Sequence, residues 1–90
     1  MSLLLTKIKA GARVVDVRTP EEFEEEHYPG AVNISVEEVQ ARLEEFGEKN
    51  GPVIVYCATG SRSAYAARIL KMAGYADVTN AGGLEDMPVS

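Results

Sequence analysis

Apolar residues along this chain switch between a strand-like and a helix-like rhythm, and the switching predicts the order of its elements. Leu3, Leu4, Leu5 and Ile8, ahead of Gly11, predict a short amphipathic helix. Arg13 to Val17 follows as a short buried strand, with Asp16 and Arg18 at its end. Thr19, Pro20, Glu21 and Glu22 form a capping box with proline at the first helical position. A short acidic helix therefore starts there and stops at the turn His27 to Gly30. Ala31 to Ile34 reads as a weaker second strand. Ser35 with Glu38 predicts another capping box, and Val36, Val39, Leu43 and Phe46 share one face of a helix ended by Gly47.

After the polar turn Glu48 to Pro52, the run Val53, Ile54, Val55 and Tyr56 is β-branched or aromatic and reads as a buried parallel strand. From Ser63 to Ala73 the residues Ala66, Ala67, Ile69, Leu70 and Ala73 recur at helical spacing, and Gly74 supplies a left-handed stop. Asp77 to Asn80 is a further strand, and Ala81 to Leu84 reads as a tight turn. Strands alternating with helices predict an α/β fold with a mainly parallel sheet. Residues 1–90 make one domain, large enough for a single core.

The lone cysteine stands where this pattern focuses chemistry. Cys57 ends the apolar strand and opens the turn Ala58, Thr59, Gly60, Ser61, Arg62 and Ser63 into the helix. Ligands of open α/β sheets bind outside the carboxyl ends of strands, and helix amino termini present unpaired N–H groups and partial positive charge. A thiolate is an anion, so the position, with Arg62 nearby, should lower the thiol pKa below its free value of about 8.5. Gly60 lets the turn close and bring amides toward the sulfur, and Arg62 offers a permanently charged fork for an oxyanion. The plainer reading is a small hydrophobe finishing a buried strand, the usual fate of a free cysteine. The glycine, arginine and two serines directly behind Cys57 favour the reactive one.

Composition narrows the field. With 14 acidic and 9 basic residues the formal charge is −5, which argues against nucleic acid or an anionic membrane as partner. Any anion site must be local, and Arg62, Arg68 and Lys71 fall in or after the loop while Glu21 to Glu26 and Glu37 to Glu48 carry the acid. One cysteine excludes an internal disulfide or a CxxC pair, and one histidine argues against a metal site. No cofactor is implied. No apolar stretch approaches the roughly 20 residues of a membrane span. Met1 to Leu5 is too short for a signal h-region and lacks a basic n-region, so a cytoplasmic location is the expectation and a processed periplasmic form the alternative; a monomer is also expected.

Three segments, DVRTPEEFEEEHYPGAVNI from Asp16 to Ile34, VYCATGSRS from Val55 to Ser63 and NAGGLEDM from Asn80 to Met87, together resemble the rhodanese family. The likeness extends to the small single-domain phage-shock-protein-E type. The resemblance implies a rhodanese-like three-layer α/β fold, with helices flanking the sheet, and thiosulfate sulfurtransferase activity. Cys57 matches the residue that carries the persulfide, Ala58 to Ser63 match the substrate-binding loop, and Asp16 and Arg18 match a structural element near the site. It also implies thiosulfate or another sulfane-sulfur donor and ping-pong turnover. Lacking a second cysteine, the chain needs an external thiophile such as cyanide, a small thiol, thioredoxin or a partner protein. Two features depart from the pattern: the additional amino-terminal edge strand of larger relatives has no counterpart, and no tryptophan follows the paired glycine.

Neighbouring residues carry their own expectations. His27 should bond backbone in the turn before Gly30 rather than act as a base. Arg18 should pair with Glu22 on the next helix, the alternative being a reach toward the anion. Asp16 should bond loop amides, since a carboxylate beside a thiolate would raise its pKa. Tyr56 and Tyr65 should pack, and Ser61 and Ser63 should bond the persulfide or cap the helix. Two other readings stay open: a cysteine phosphatase or arsenate reductase, whose loop holds one residue more between cysteine and arginine, and a non-enzymatic module that carries sulfur or binds a partner.

Overall fold

The computed structural model describes residues 2–89, which leaves out Met1 and Ser90 at the two ends of the expected 1–90 unit. Four parallel strands, β1 (Arg13–Asp16), β2 (Val32–Asn33), β3 (Pro52–Cys57) and β4 (Asp77–Gly83), form one sheet in the order β2-β1-β3-β4. Residues of β3 alternate between the two faces. Val53, Val55 and Cys57 join Val15, Val17, Phe46, Ala66 and Leu70 on one side, while Ile54 and Tyr56 join Val14, Ala31 and Met87 on the other. Period-two alternation in a strand buried on both sides thus fills two cores and makes three layers.

The first face is covered by α3 (Ser61–Met72), whose Ala66, Ala67 and Leu70 are buried, and by the segment from Val36 to Phe46. The second is covered by α1 (Leu3–Lys9), α2 (Pro20–Glu25) and a final 3-10 turn, Leu84–Asp86. After the paired glycine, Met87 is buried in the same core as Ile54 and Tyr56. α2 begins as expected: Thr19 Oγ1 accepts the Glu22 N–H, and Glu22 accepts the Thr19 N–H at 3.0 Å.

Two elements differ from the sequence expectation. The helix expected after Ser35 is two 3-10 pieces, Val36–Glu38 and Gln40–Phe46, the second kinked at Arg42 (φ −124°, ψ 34°). Ser35 does not cap it; its hydroxyl donates to the Arg18 carbonyl, and the Val36 N–H donates to the Val17 carbonyl. Bound to the end of β1, the segment must bring both Val39 and Phe46 into the core, and tighter three-residue turns do this. Of the expected turn Ala81 to Leu84, Ala81 to Gly83 instead continue β4 and Leu84 opens the final 3-10 turn. There the register slips by one residue: Val55 faces Asn80, but Cys57 faces Gly83. This bulge brings Gly83 against the loop, where a Cβ would overlap the Ala58 carbonyl.

Gly83→Ala should therefore destabilise the fold by roughly 1–3 kcal/mol, the range for overpacking a tight site. Urea denaturation of the purified variant checks it.

Candidate active site

Cys57 is the last residue of β3 and has no exposed surface. The chain then turns through Gly60, whose φ of +105° is left-handed, and enters α3 at Ser61. A side chain at that φ would be strained, so glycine is what allows so short a strand-to-helix turn. The turn aims backbone at the sulfur. Gly60 N–H donates to Cys57 Sγ at 3.0 Å, Ser63 N–H at 3.3 Å, and Ser63 Oγ lies 3.3 Å away.

These donors lower the cost of charge on the sulfur. Burial pushes the Cys57 thiol up, but hydrogen bonds from the Ser63 hydroxyl and from the Ser63, Gly60 and Thr59 amides outweigh it and leave the pKa below its ordinary value. The arrangement favours a thiolate held by neutral dipoles.

Of the other loop residues, Ala58, Thr59 and Ser61 line the exposed rim. Ser61 is the first residue of α3 and Gly60 its N-cap, with no side-chain cap bond, so neither serine caps the helix. Ser63 is buried against the sulfur.

Arg62 is engaged elsewhere. Its guanidinium makes a bidentate pair with Glu22 of α2, at 2.7 and 3.1 Å. This corrects the expected partner of Glu22, which is Arg62 and not Arg18. Hydrogen bonding from Arg62, and then from the Thr19 amide, lowers the Glu22 pKa to about 2.

Arg18 turns to Asp16, donating from Nη2 at 2.7 Å and from Nε at 3.0 Å, and caps the Glu26 carbonyl at the end of α2. Asp16 also accepts the Arg18 N–H at 2.9 Å. A buried carboxylate is stable only when paired and hydrogen-bonded, and this one is. Asp16 and Arg18 thus fasten β1 to α2 beside the site.

His27 Nδ1 bonds the Phe23 carbonyl at 2.8 Å, and its ring stacks on Phe23. Tyr56 is buried and its hydroxyl accepts the Tyr28 N–H, whereas Tyr65 is 60% exposed and packs in no core. It lies on the outer side of α3, where helical spacing alone does not tell a covered face from a bare one.

Sequence reasoning missed Asn80. Its side chain bridges β4 to the loop, accepting from Ser63 Oγ at 2.6 Å and from Gly82 N–H at 2.9 Å, and donating to the Gly60 carbonyl at 3.2 Å. The signal available was an asparagine two residues before a glycine pair, at a position that reads as the end of a strand.

Among the described residues no group of three or more histidine, cysteine, aspartate or glutamate side chains could hold a metal ion, and no helix is long and apolar enough to cross a membrane.

The rhodanese-like domain family matches residues 2–87. The chain belongs to that family. It is 46% identical over 74 residues to thiosulfate sulfurtransferase PspE of Escherichia coli, covering 81% of this chain and 71% of that protein. It is 42% identical over 67 residues to the putative sulfur carrier protein YrkF of Bacillus subtilis, where the match spans 74% of this chain and 36% of that protein. Among solved structures, a rhodanese with anions from E. coli superposes with a TM-score of 0.83 at 42% identity, covering 89% of this chain and 95% of that one. The human single-domain sulfurtransferase TSTD1 gives 0.83 at 28% identity, covering 92% and 87%. The parallel sheet with its flanking helices is the rhodanese-like α/β architecture.

Replacing the carboxylate that holds Arg62 should have a pH signature. The folded Glu22 carboxyl binds its proton less readily than the unfolded one. Its contribution is complete above the ordinary value of 4.5 and is lost as pH falls toward about 2. Glu22→Gln should cost about 0.5–1 kcal/mol at neutral pH, since both partners are about one-third exposed, and the difference should vanish in strong acid. Urea denaturation of both proteins across pH reads this out.

Proposed function

We propose that the protein is a thiosulfate sulfurtransferase that carries sulfur as a persulfide on Cys57. The observation that carries this is the buried Cys57 sulfur at the carboxyl end of β3, met by the Gly60 and Ser63 amides and the Ser63 hydroxyl. The family and the named activity of its relatives agree with it.

In the first half-reaction the Cys57 thiolate attacks the outer sulfur of thiosulfate. A bond forms between Sγ and that sulfur, the sulfur–sulfur bond of thiosulfate breaks, and its electron pair leaves with sulfite. The negative charge of the persulfide then sits on the outer sulfur, against the turn of amides from Ala58 to Ser63. Fixed amide dipoles stabilise such charge without reorganising at the moment of transfer.

In the second half-reaction a thiophile attacks the outer sulfur and Cys57 regains its thiolate. Cys57 is the only cysteine, so the thiophile comes from outside: cyanide, a small thiol, thioredoxin or a partner protein. A sulfur carrier that hands its persulfide only to a protein partner would use the same two steps, and the likeness to YrkF favours keeping that acceptor class.

Phosphoryl transfer fits less well. Four residues separate Cys57 from Arg62, and Arg62 is turned to Glu22 rather than held free for a phosphate.

Incubation with thiosulfate followed by intact-mass measurement should show one added sulfur on the wild type and none on Cys57→Ser. An unchanged wild-type mass would sink this reading, and Cys57-dependent hydrolysis of an aryl phosphate would favour the phosphatase alternative.

A further inference from the structure

Ser63 Oγ is buried among four acceptors: Asn80 Oδ1 at 2.6 Å, the Gly60 carbonyl at 3.1 Å, and the Gly82 carbonyl and Cys57 Sγ, both at 3.3 Å. A hydroxyl has one proton and two lone pairs, so it serves one of these well at a time. The orientation of the Asn80 amide is fixed by its neighbours. Gly82 N–H can only donate and lies 2.9 Å from Oδ1; the Gly60 carbonyl can only accept and lies 3.2 Å from Nδ2. Oδ1 carries no proton, so at 2.6 Å the donor is Ser63. With its proton there, Ser63 turns a lone pair toward Sγ. That suits a thiol, which donates its S–H to Ser63, whereas a thiolate gains the hydroxyl only when the proton leaves Asn80.

We propose that Asn80 is a positioning residue that holds the Ser63 proton away from Cys57 until negative charge sits on Sγ. In the thiol, S–H donates to Ser63 and Ser63 donates to Asn80. In the thiolate the hydroxyl rotates and joins the Gly60 and Ser63 amides on the sulfur. In the persulfide Sγ is divalent and the charge is on the outer sulfur, so the hydroxyl returns to Asn80. When an acceptor thiolate takes the outer sulfur, the bond to Sγ breaks, its electron pair stays on Sγ, and the hydroxyl swings back to meet it. Ser63 and Asn80 thus stabilise Sγ as nucleophile and as leaving group, and not in between.

The sequence of states rests on the sulfurtransferase reading; the hydroxyl's choice between Asn80 and Sγ does not, and a titration without any sulfur donor tests it. Absorbance of the single thiolate is followed against pH, with Cys57→Ser subtracted to remove the tyrosines. The charged groups around the site, Arg62 with Glu22 on α3 and α2, Asp16 at the end of β1 with Arg18, and Asp86 on the Gly83 N–H, are common to all variants.

Asn80→Ala should move the thiolate midpoint down, raising the thiolate population below the midpoint about fivefold, the factor one neutral hydrogen bond is worth. Ser63→Ala should move it up, and Ser63→Ala/Asn80→Ala should coincide with Ser63→Ala. A residue that only braces the loop behaves oppositely: its loss loosens the Gly60 N–H bond, moves the midpoint up, and does so in the Ser63→Ala background as well. That result, or an unmoved midpoint in Asn80→Ala, overturns the proposal. Should Asn80→Ala fail to fold, Asn80→Asp serves. Its carboxylate competes harder for the proton, so the midpoint should rise, and the rise should shrink without Ser63; a rise indifferent to Ser63 overturns the proposal.

Discussion

Negative charge on a sulfur with no exposed surface has to be met by dipoles that the fold holds still. Here they come from the turn between β3 and α3, and most of the surrounding architecture serves that turn. Gly60 supplies the left-handed backbone, the bulge in β4 sets Gly83 flush against Ala58, and Asn80 ties strand to loop. Neutral amides suit this work because a buried cation would itself need a partner.

The two ion pairs beside the site have structural duties of different kinds. Asp16 and Arg18 are buried and fasten β1 to the end of α2. Glu22 and Arg62 are partly exposed and join α2 to the start of α3, so one carboxylate closes its own helix N-terminus and holds the neighbouring loop. Together they keep the two layers on either side of β3 in register at the end where chemistry occurs.

What the sequence made legible follows from how local each signal is. The strands, the capping box at Thr19 and the loop after Cys57 are written in adjacent residues, and the structure has them where expected. The segment after Ser35 was misread because spacings of three and four fit both an α-helix and two 3-10 turns. Its attachment to Val17 and Arg18 decided the matter. Ala81 to Gly83 looked like a turn because glycine pairs usually are one, yet here they let a strand pass close to a carbonyl. The partner of Arg62 lies forty residues away, and pairing at that range leaves no spacing to read. Asn80 was hidden for the same reason.

Binding Arg62 to Glu22 also shapes how the protein meets its reactants. A cation free at the loop would draw anions from a distance, but this one is balanced by the neighbouring carboxylate on a chain of net charge −5. Long-range attraction of an anion therefore gains little from Arg62. What meets charge at the sulfur is short-range: the Gly60 and Ser63 amides, at 3.0 and 3.3 Å.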